Sequence, residues 1–181
     1  MKFTTLQDKL TSIFTKNDDT PKYMAKAKPV ARFDWKFGSR SLQKLQGVED
    51  DLVRVCHLAL SYSPVDFGIT CGLRTQAEQN QLRIQGKSQA KRSRHQDGMA
   101  IDVVAYVDGK VSWDMQDYIK IANAFAMAAK ELNVKVRWGG AWTHNLDEHT
   151  GTEAYNAYVS LRKSQGRKPF LDGPHFEIPK E

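Results

Sequence analysis

The sequence predicts an α+β domain in which a small, mainly antiparallel sheet is flanked by helices, and three observations carry that prediction. Ala100–Tyr106 is rich in β-branched residues and runs into Asp108-Gly109, a dipeptide suited to a tight hairpin turn, with Lys110–Trp113 as the returning strand. Apolar residues recur at helical spacing in two separate stretches, one around Val48, Leu52, Val55, Cys56 and Ala59, the other at Ile119, Ala122, Phe125, Ala126, Ala129 and Leu132. Strands and helices do not alternate as regular βαβ units, which argues against a doubly wound parallel sheet.

In chain order, Phe3, Leu6, Leu10, Ile13 and Phe14 form one apolar face of a short amphipathic helix, and Asn17–Pro21 reads as a helix stop and linker. Residues 1–35 are taken as a basic N-terminal extension and residues 36–181 as the main folded domain. A helix capped near Ser39 is expected to run to about Ser61 and to end before Pro64. Phe67–Cys71 is expected as a strand that delivers Gly72-Leu-Arg-Thr75 to a surface, followed by a helix from Gln76 to about Gln85 capped by Gly86, and then a basic loop to Arg94. After the third helix come a strand at Val134–Trp138, a Gly139-Gly140 turn, an irregular polar segment to about Pro169 and a last strand at His175–Ile178.

Composition narrows the function classes. The chain has 181 residues, 40% hydrophobic and 27% charged, which suits one globular domain with an appendage and excludes collagen-like and disordered readings. No apolar run reaches the roughly 18 residues of a membrane span, so no integral membrane segment is expected, and Met1–Phe14 lacks the continuous apolar stretch of a secretory signal. The net charge of +6 is local: residues 1–47 hold ten Lys/Arg against four Asp/Glu, and the remaining 17 basic and 17 acidic residues cancel. With charge balanced over residues 48–181 and no recognition motif, nucleic acid is not an expected partner. Cys56 and Cys71 have no CxxC spacing and sit in apolar surroundings, one within Leu52–Leu60 and one after Phe67-Gly-Ile-Thr70, so both are read as reduced core cysteines.

Two polar clusters carry the chemistry. In Ser93-Arg-His95-Gln-Asp-Gly98-Met-Ala100-Ile-Asp102, a loop histidine, a turning glycine and an aspartate in an apolar strand make an economical pair of metal ligands, although a loop histidine and an arginine-paired carboxylate would read the same way. In Asp172-Gly-Pro-His175-Phe-Glu177, a histidine opens a strand three residues after an acid, with glycine and proline fixing the backbone between them. An exposed C-terminal strand with incidental polar residues is the plainer reading of that segment.

Together the clusters resemble the zinc D-Ala-D-Ala peptidase family, and in particular its phage branch of L-alanyl-D-glutamate endopeptidases, which serve as endolysins. The family pattern Ser-x-His-x-x-Gly-x-Ala-x-Asp, followed later by an acid three residues before His, is matched by Ser93, His95, Gly98, Ala100, Asp102, Asp172 and His175. The likeness extends to Gly72–Thr75, Glu78-Gln79, Gln85–Ser88 and Trp138-Gly-Gly-x-Trp142, so it spans roughly residues 37–179. It implies a hedgehog/DD-peptidase-like fold, one zinc ion per chain held by His95, Asp102 and His175, Asp172 as general base and Arg74 as the group that stabilises the oxyanion.

Ser93, Glu177 and Trp138 are expected to support the ligands or meet substrate, with a solvent-facing strand position for Glu177 and core filling for Trp138 as the alternatives. Many family members have Glu where this chain has Asp172. The carboxypeptidase branch carries a second histidine where this chain has Glu177, which favours the endopeptidase branch.

The implied activity is hydrolysis of the L-Ala-D-Glu bond of peptidoglycan stem peptides by a monomer made in the host cytoplasm and released to the wall by another factor. The competing readings are a D-Ala-D-Ala carboxypeptidase of the same fold and a non-catalytic zinc module that binds wall. The acid at 172 argues against the second. Lys87, Lys91, Arg92 and Arg94 are placed to attract acidic stem peptides, unless they are simply a solvated loop. His144 and His149 are five residues apart, not a same-face helical spacing, and are read as polar loop.

Overall fold

The computed structural model describes residues 31–180, and the expected amphipathic helix near the N-terminus lies outside the described residues. The described residues form α1 (Ser39–Lys44), α2 (Asp50–Tyr62), β1 (Asp66–Cys71), α3 (Gln76–Ile84), a 3₁₀ turn (Arg94–Asp97), β2 (Ala100–Val107), β3 (Lys110–Ser112), α4 (Met115–Leu132), β4 (Arg137–Trp138), α5 (Gly151–Ser164) and β5 (His175–Glu177). All pairings are antiparallel: β1 lies along one edge of β2, while β3 and β5 share its other edge in succession, and β4 closes on β5. The α+β expectation holds, including the Asp108-Gly109 turn, where both residues have positive φ.

Pleating fixes which residues face the helices. Ile101, Val103 and Ala105 of β2, Phe67 and Ile69 of β1 and Phe176 of β5 join the core built with α2 and α4. Phe125 of α4 stacks on Phe176 at 4.0 Å between ring centroids and meets Phe67 at 5.6 Å. A slip of one residue would turn these side chains outward, at about 1.5–3 kcal/mol for each large apolar group, and drive Asp102 and His175 into the core. The register is therefore strongly specified.

Three elements differ from the sequence expectation. The helix expected from Ser39 to Ser61 is two helices, because Gly47 takes a left-handed φ of 76° and breaks the path between α1 and α2. The expected strand at Val134–Trp138 is only Arg137–Trp138. The expected irregular segment contains α5, whose start is a capping box: Thr150 accepts from the Glu153 amide, and the Glu153 carboxylate accepts from the Thr150 amide. Ala154 and Tyr158, four apart, bury one face of α5. Gly151 lies so close to α4 that an added Cβ would sit 2.6 Å from the Ala122 Cβ. Few apolar residues are needed when the backbones approach this closely.

At the N-terminal end of the described residues, Phe33 N donates to Ser61 O at 2.7 Å and Trp35 Nε1 donates to Ser63 O at 3.1 Å, while Phe37 enters the core. On the other side, Glu49 N donates to Gly98 O at 2.9 Å. Gly98 has φ of 70°, and a Cβ there would lie 2.4 Å from Gly47 O, so the turn before β2 rests directly on the α1–α2 link.

Gly98→Ala should lower stability by more than about 1 kcal/mol, since the left-handed region alone costs a non-glycine residue roughly 1–2 kcal/mol and the Gly47 carbonyl must also move. Urea unfolding of the full chain measures this, and an unchanged midpoint would contradict the packing described. The α5 cap gives a pH dependence. The Thr150 amide, then its hydroxyl, hold the Glu153 carboxyl below its usual range. Because the folded value is depressed, the contribution is complete above the ordinary glutamate pKa and is lost as pH falls through the lower folded value. Wild type should therefore lose stability relative to Glu153→Gln on acidification, read from unfolding midpoints across a pH series.

Candidate metal centre and cleft

The sheet brings three donor residues onto one rung. Asp102 of β2 has Cys71 of β1 as its Cα partner on one side and His175 of β5 on the other. Strand parity explains His175 and Asp102: their neighbours Phe176, Ile101 and Val103 face the core, so they face away from it. Cys71 has a different origin. Ile69 pairs with Val103, and an unbroken ladder would set Cys71 opposite Ile101 and into the core, but the register shifts between Ile69 and Cys71. The bulge re-aims the thiol toward Asp102. Cys71 is thus partly exposed at the site, not the core residue expected from sequence, whereas Cys56 is fully buried as expected.

His95 reaches the same point from the 3₁₀ turn. Its Nδ1 lies 2.8 Å from Gly72 O and its Nε2 lies 3.2 Å from Asp102 Oδ1. The Arg74 amide donates to His95 O at 3.0 Å, so the segment after β1 is tied to this histidine twice. His175 mirrors the arrangement, with Nδ1 3.2 Å from Asp102 Oδ1 and Nε2 2.9 Å from Glu177 Oε2. Glu177 does not face solvent: it is buried, and its other oxygen accepts from Arg137 Nε at 2.9 Å. Cys71, His95 and Asp102 each offer a ligand atom, all within 4.8 Å of one another, so this group can hold a metal ion.

The site's electrostatics favour a cation. Burial raises the Asp102 carboxyl, but hydrogen bonds and charge from His175 and His95 outweigh it and hold the group below the usual carboxylate range. Burial opposes charging His95, yet Asp102 and Cys71 lift it to about 10. The anionic donors beside the two imidazoles favour their protonated forms, and metal binding there would release such protons. Arg74 adds a fixed positive charge. Its Nη2 donates to Asp102 Oδ2 and to Cys71 Sγ, both at 3.3 Å, and its Nη1 donates to Gln79 Oε1 at 2.9 Å. Gln79 is fully buried and also donates to Ser88 Oγ and Ala90 O, which joins α3 to the basic loop.

Asp172 sits on the loop before β5 and lines the cleft with His175 and Arg74. Burial raises its carboxyl above the usual range, with Asp102 adding to the effect against the opposing charges of His175, His95 and Arg74. The Gly139-Gly140 turn positions this loop. Asp172 N donates to Gly139 O at 2.9 Å and Gly139 N donates to His175 O at 2.8 Å, while a Cβ on Gly139 would lie 2.4 Å from Asp172 O. Trp138 is fully buried against Phe176 and donates from Nε1 to Gly173 O at 2.7 Å. It fills core and braces the Asp172 loop, so of the two readings open in the sequence the structure selects the core one.

Trp142, unlike Trp138, lines the cleft, its ring 5.3 Å from that of His175 at an interplanar angle of 29°. Phe170 and Trp113, both largely exposed, extend this aromatic wall around a cleft of about 1040 Å³. Neither was singled out in the sequence, where an isolated aromatic carries no positional signal. Ser93 also lines the cleft, and its amide donates to Gln96 Oε1 at 3.0 Å to open the 3₁₀ turn. Of the basic loop, Lys87, Arg92 and Arg94 line the cleft and Lys91 does not; Arg92 pairs with Asp97, and Arg94 is held by two hydrogen bonds to Ile178 O. His144 and His149 pack edge to face in the loop after β4, away from the lining of the cleft.

Residues 33–178 match the family of phage L-alanyl-D-glutamate peptidases. The chain is 39% identical over 119 residues to the L-alanyl-D-glutamate peptidase of Escherichia phage T5, covering 64% of this chain and 87% of that one. Its fold is similar to the crystal structure of the Serratia marcescens L-Ala D-Glu endopeptidase ChiX, with a TM-score of 0.62 and 39% identity over 81% of this chain and 92% of that one. The match from Phe33 to Ile178 takes in every element that builds the cleft, and the chain belongs to the phage L-alanyl-D-glutamate peptidase family.

Proposed function

We propose that this protein is an endolysin-type hydrolase that cuts the L-Ala-D-Glu bond of peptidoglycan stem peptides, using one zinc ion held by His95, Asp102 and His175. The observation that carries the metal assignment is the convergence of His95 Nε2 and His175 Nδ1 on Asp102 Oδ1, each at 3.2 Å. The remote nitrogen of each imidazole is engaged, by Gly72 O and by Glu177 Oε2, which fixes ring orientation and leaves the near nitrogen for a cation. Two nitrogens and one carboxylate fit the three-ligand set of a catalytic zinc.

When bound, zinc supplies Lewis-acid polarisation of the scissile carbonyl and activation of the attacking water. Asp172 takes the water's proton and delivers it to the leaving amine, a role suited to a carboxyl raised by burial and free of side-chain hydrogen bonds among the described residues. The Arg74 guanidinium, held in place by Gln79, offers fixed positive charge to the developing oxyanion. Trp142 and Phe170 wall the peptide path, while Lys87 and Arg92 favour an acidic stem peptide. All proposed ligands come from one chain, which supports a monomer as the working unit. Among the described residues no helix is long and apolar enough to cross a membrane.

Mass analysis of fragments from purified peptidoglycan should show new amino termini at D-Glu, and termini at D-Ala would overturn the bond assignment. In the same assay Asp172→Ala should retain about one zinc per chain yet lose about 10²–10⁴ in rate, whereas Asp102→Ala should lose the metal. Loss of zinc from Asp172→Ala with retention by Asp102→Ala would reverse the two roles.

We also propose that the catalytic body begins near Arg32 and that the basic segment before it serves wall or lipid surfaces. Support comes from the six lysines against three aspartates in residues 1–31 and from the contacts of Arg32, Phe33 and Trp35 with the C-terminal end of α2. A chain starting at Ala31 should hydrolyse soluble muropeptides at the full rate but act more slowly on whole sacculi. A clear drop in its melting temperature would place the segment within the fold.

A further inference from the structure

The rung that gathers the proposed zinc ligands holds one donor more than they require. Cys71 meets Asp102 from the side opposite His175, and its sulfur lies within 4.8 Å of the ligand atoms of His95 and Asp102. It has no disulfide partner and is only partly buried. Packing does not account for this placement. The bulge before Cys71 removes it from the core position opposite Ile101 and delivers it to the most polar point of the sheet.

We propose that Cys71 is a fourth donor, a thiolate that closes the metal site while the cleft holds no substrate. The proposal rests on the zinc reading of His95, Asp102 and His175. Zinc takes thiolate sulfur together with imidazole nitrogen and carboxylate oxygen, and four protein donors make a closed tetrahedral site, whereas three leave a position open. Cys71 and Asp102 together supply two negative charges, which match a divalent cation.

Arg74 gives the sulfur a second place to rest. One guanidinium nitrogen reaches both Cys71 Sγ and Asp102 Oδ2 at 3.3 Å, so a sulfur released from the metal remains beside a fixed positive charge. On closing, the S–H bond breaks, its proton leaves to solvent and a sulfur–metal bond forms. On opening, that bond breaks and the sulfur takes a proton from solvent. No electron is transferred, so no oxidant or reductant is involved. The closed state retains metal, and the open state frees the position the reaction needs.

The test uses the full chain, freed of metal and reloaded with cobalt(II). The loaded protein should show a thiolate-to-cobalt charge-transfer band in the near ultraviolet, and loading should reduce by one the number of thiols alkylated by iodoacetamide under native conditions. Cys71→Ser should lose the band while still binding about one cobalt per chain through the three remaining ligands, and Cys56→Ala should keep it. Cobalt bound without the band, or a band that survives in Cys71→Ser, overturns the proposal and leaves the three-ligand reading standing. Failure of the unsubstituted chain to bind cobalt overturns both. Should Cys71→Ser not fold, the alkylation count on the unsubstituted chain decides alone, and equal labelling with and without cobalt overturns the proposal.

Discussion

The alternation of β2 and β5 is the constraint on which the rest of the structure depends. Core formation requires Ile101, Val103 and Phe176 to face the helices, and strand geometry then places Asp102, His175 and Glu177 together on the opposite face. The apolar residues supply the free energy and the polar residues take the positions left over. A register error would expose several large side chains and bury at least one carboxylate, so the chemistry is as well specified as the core.

Around that rung, the polar groups are held by partners that leave few alternatives. Gly72 O and Glu177 set the two imidazoles, Arg137 holds Glu177, and Arg74 spans Asp102, Cys71 and buried Gln79. Such a network is costly to bury unless its members are satisfied, and here each donor named has its acceptor. The net result is a concentration of anionic donors whose charge protons or a metal must balance. That is the physical basis for reading the cluster as a cation site rather than as an ordinary buried ion pair.

The proposed base belongs to a different mechanical unit. Asp172 rides on a loop clamped between the Gly139 backbone and the Trp138 indole, so its position relative to His175 is set by backbone hydrogen bonds and a close glycine approach. The same turn presents Trp142 to the cleft, flat against His175. One short segment thus aligns the acid, a proposed ligand and part of the substrate wall.

Much of this was legible in the sequence because it depends on local signals. The Asp108-Gly109 hairpin, the helical stripe of α4, and the spacings that relate His95 to Asp102 and Asp172 to His175 are patterns within a few residues of chain. Helix α5 was missed because close backbone packing at Gly151, rather than an apolar stripe, seats it, although its Thr150–Glu153 capping box was present to be read. Cys71 and Trp138 were decided only by the tertiary structure. Alternation after Phe67 and Ile69 assigns Cys71 to the core, and a bulge defined by pairing with β2 reverses that assignment. Trp138 reads equally as cleft or core until β5 and the Gly173 carbonyl are placed beside it. The sequence by itself determined the residue types and local periodicities of the fold and the site. The tertiary structure alone decided which side chains meet across strands, because register and bulges depend on hydrogen bonds between segments distant in the chain.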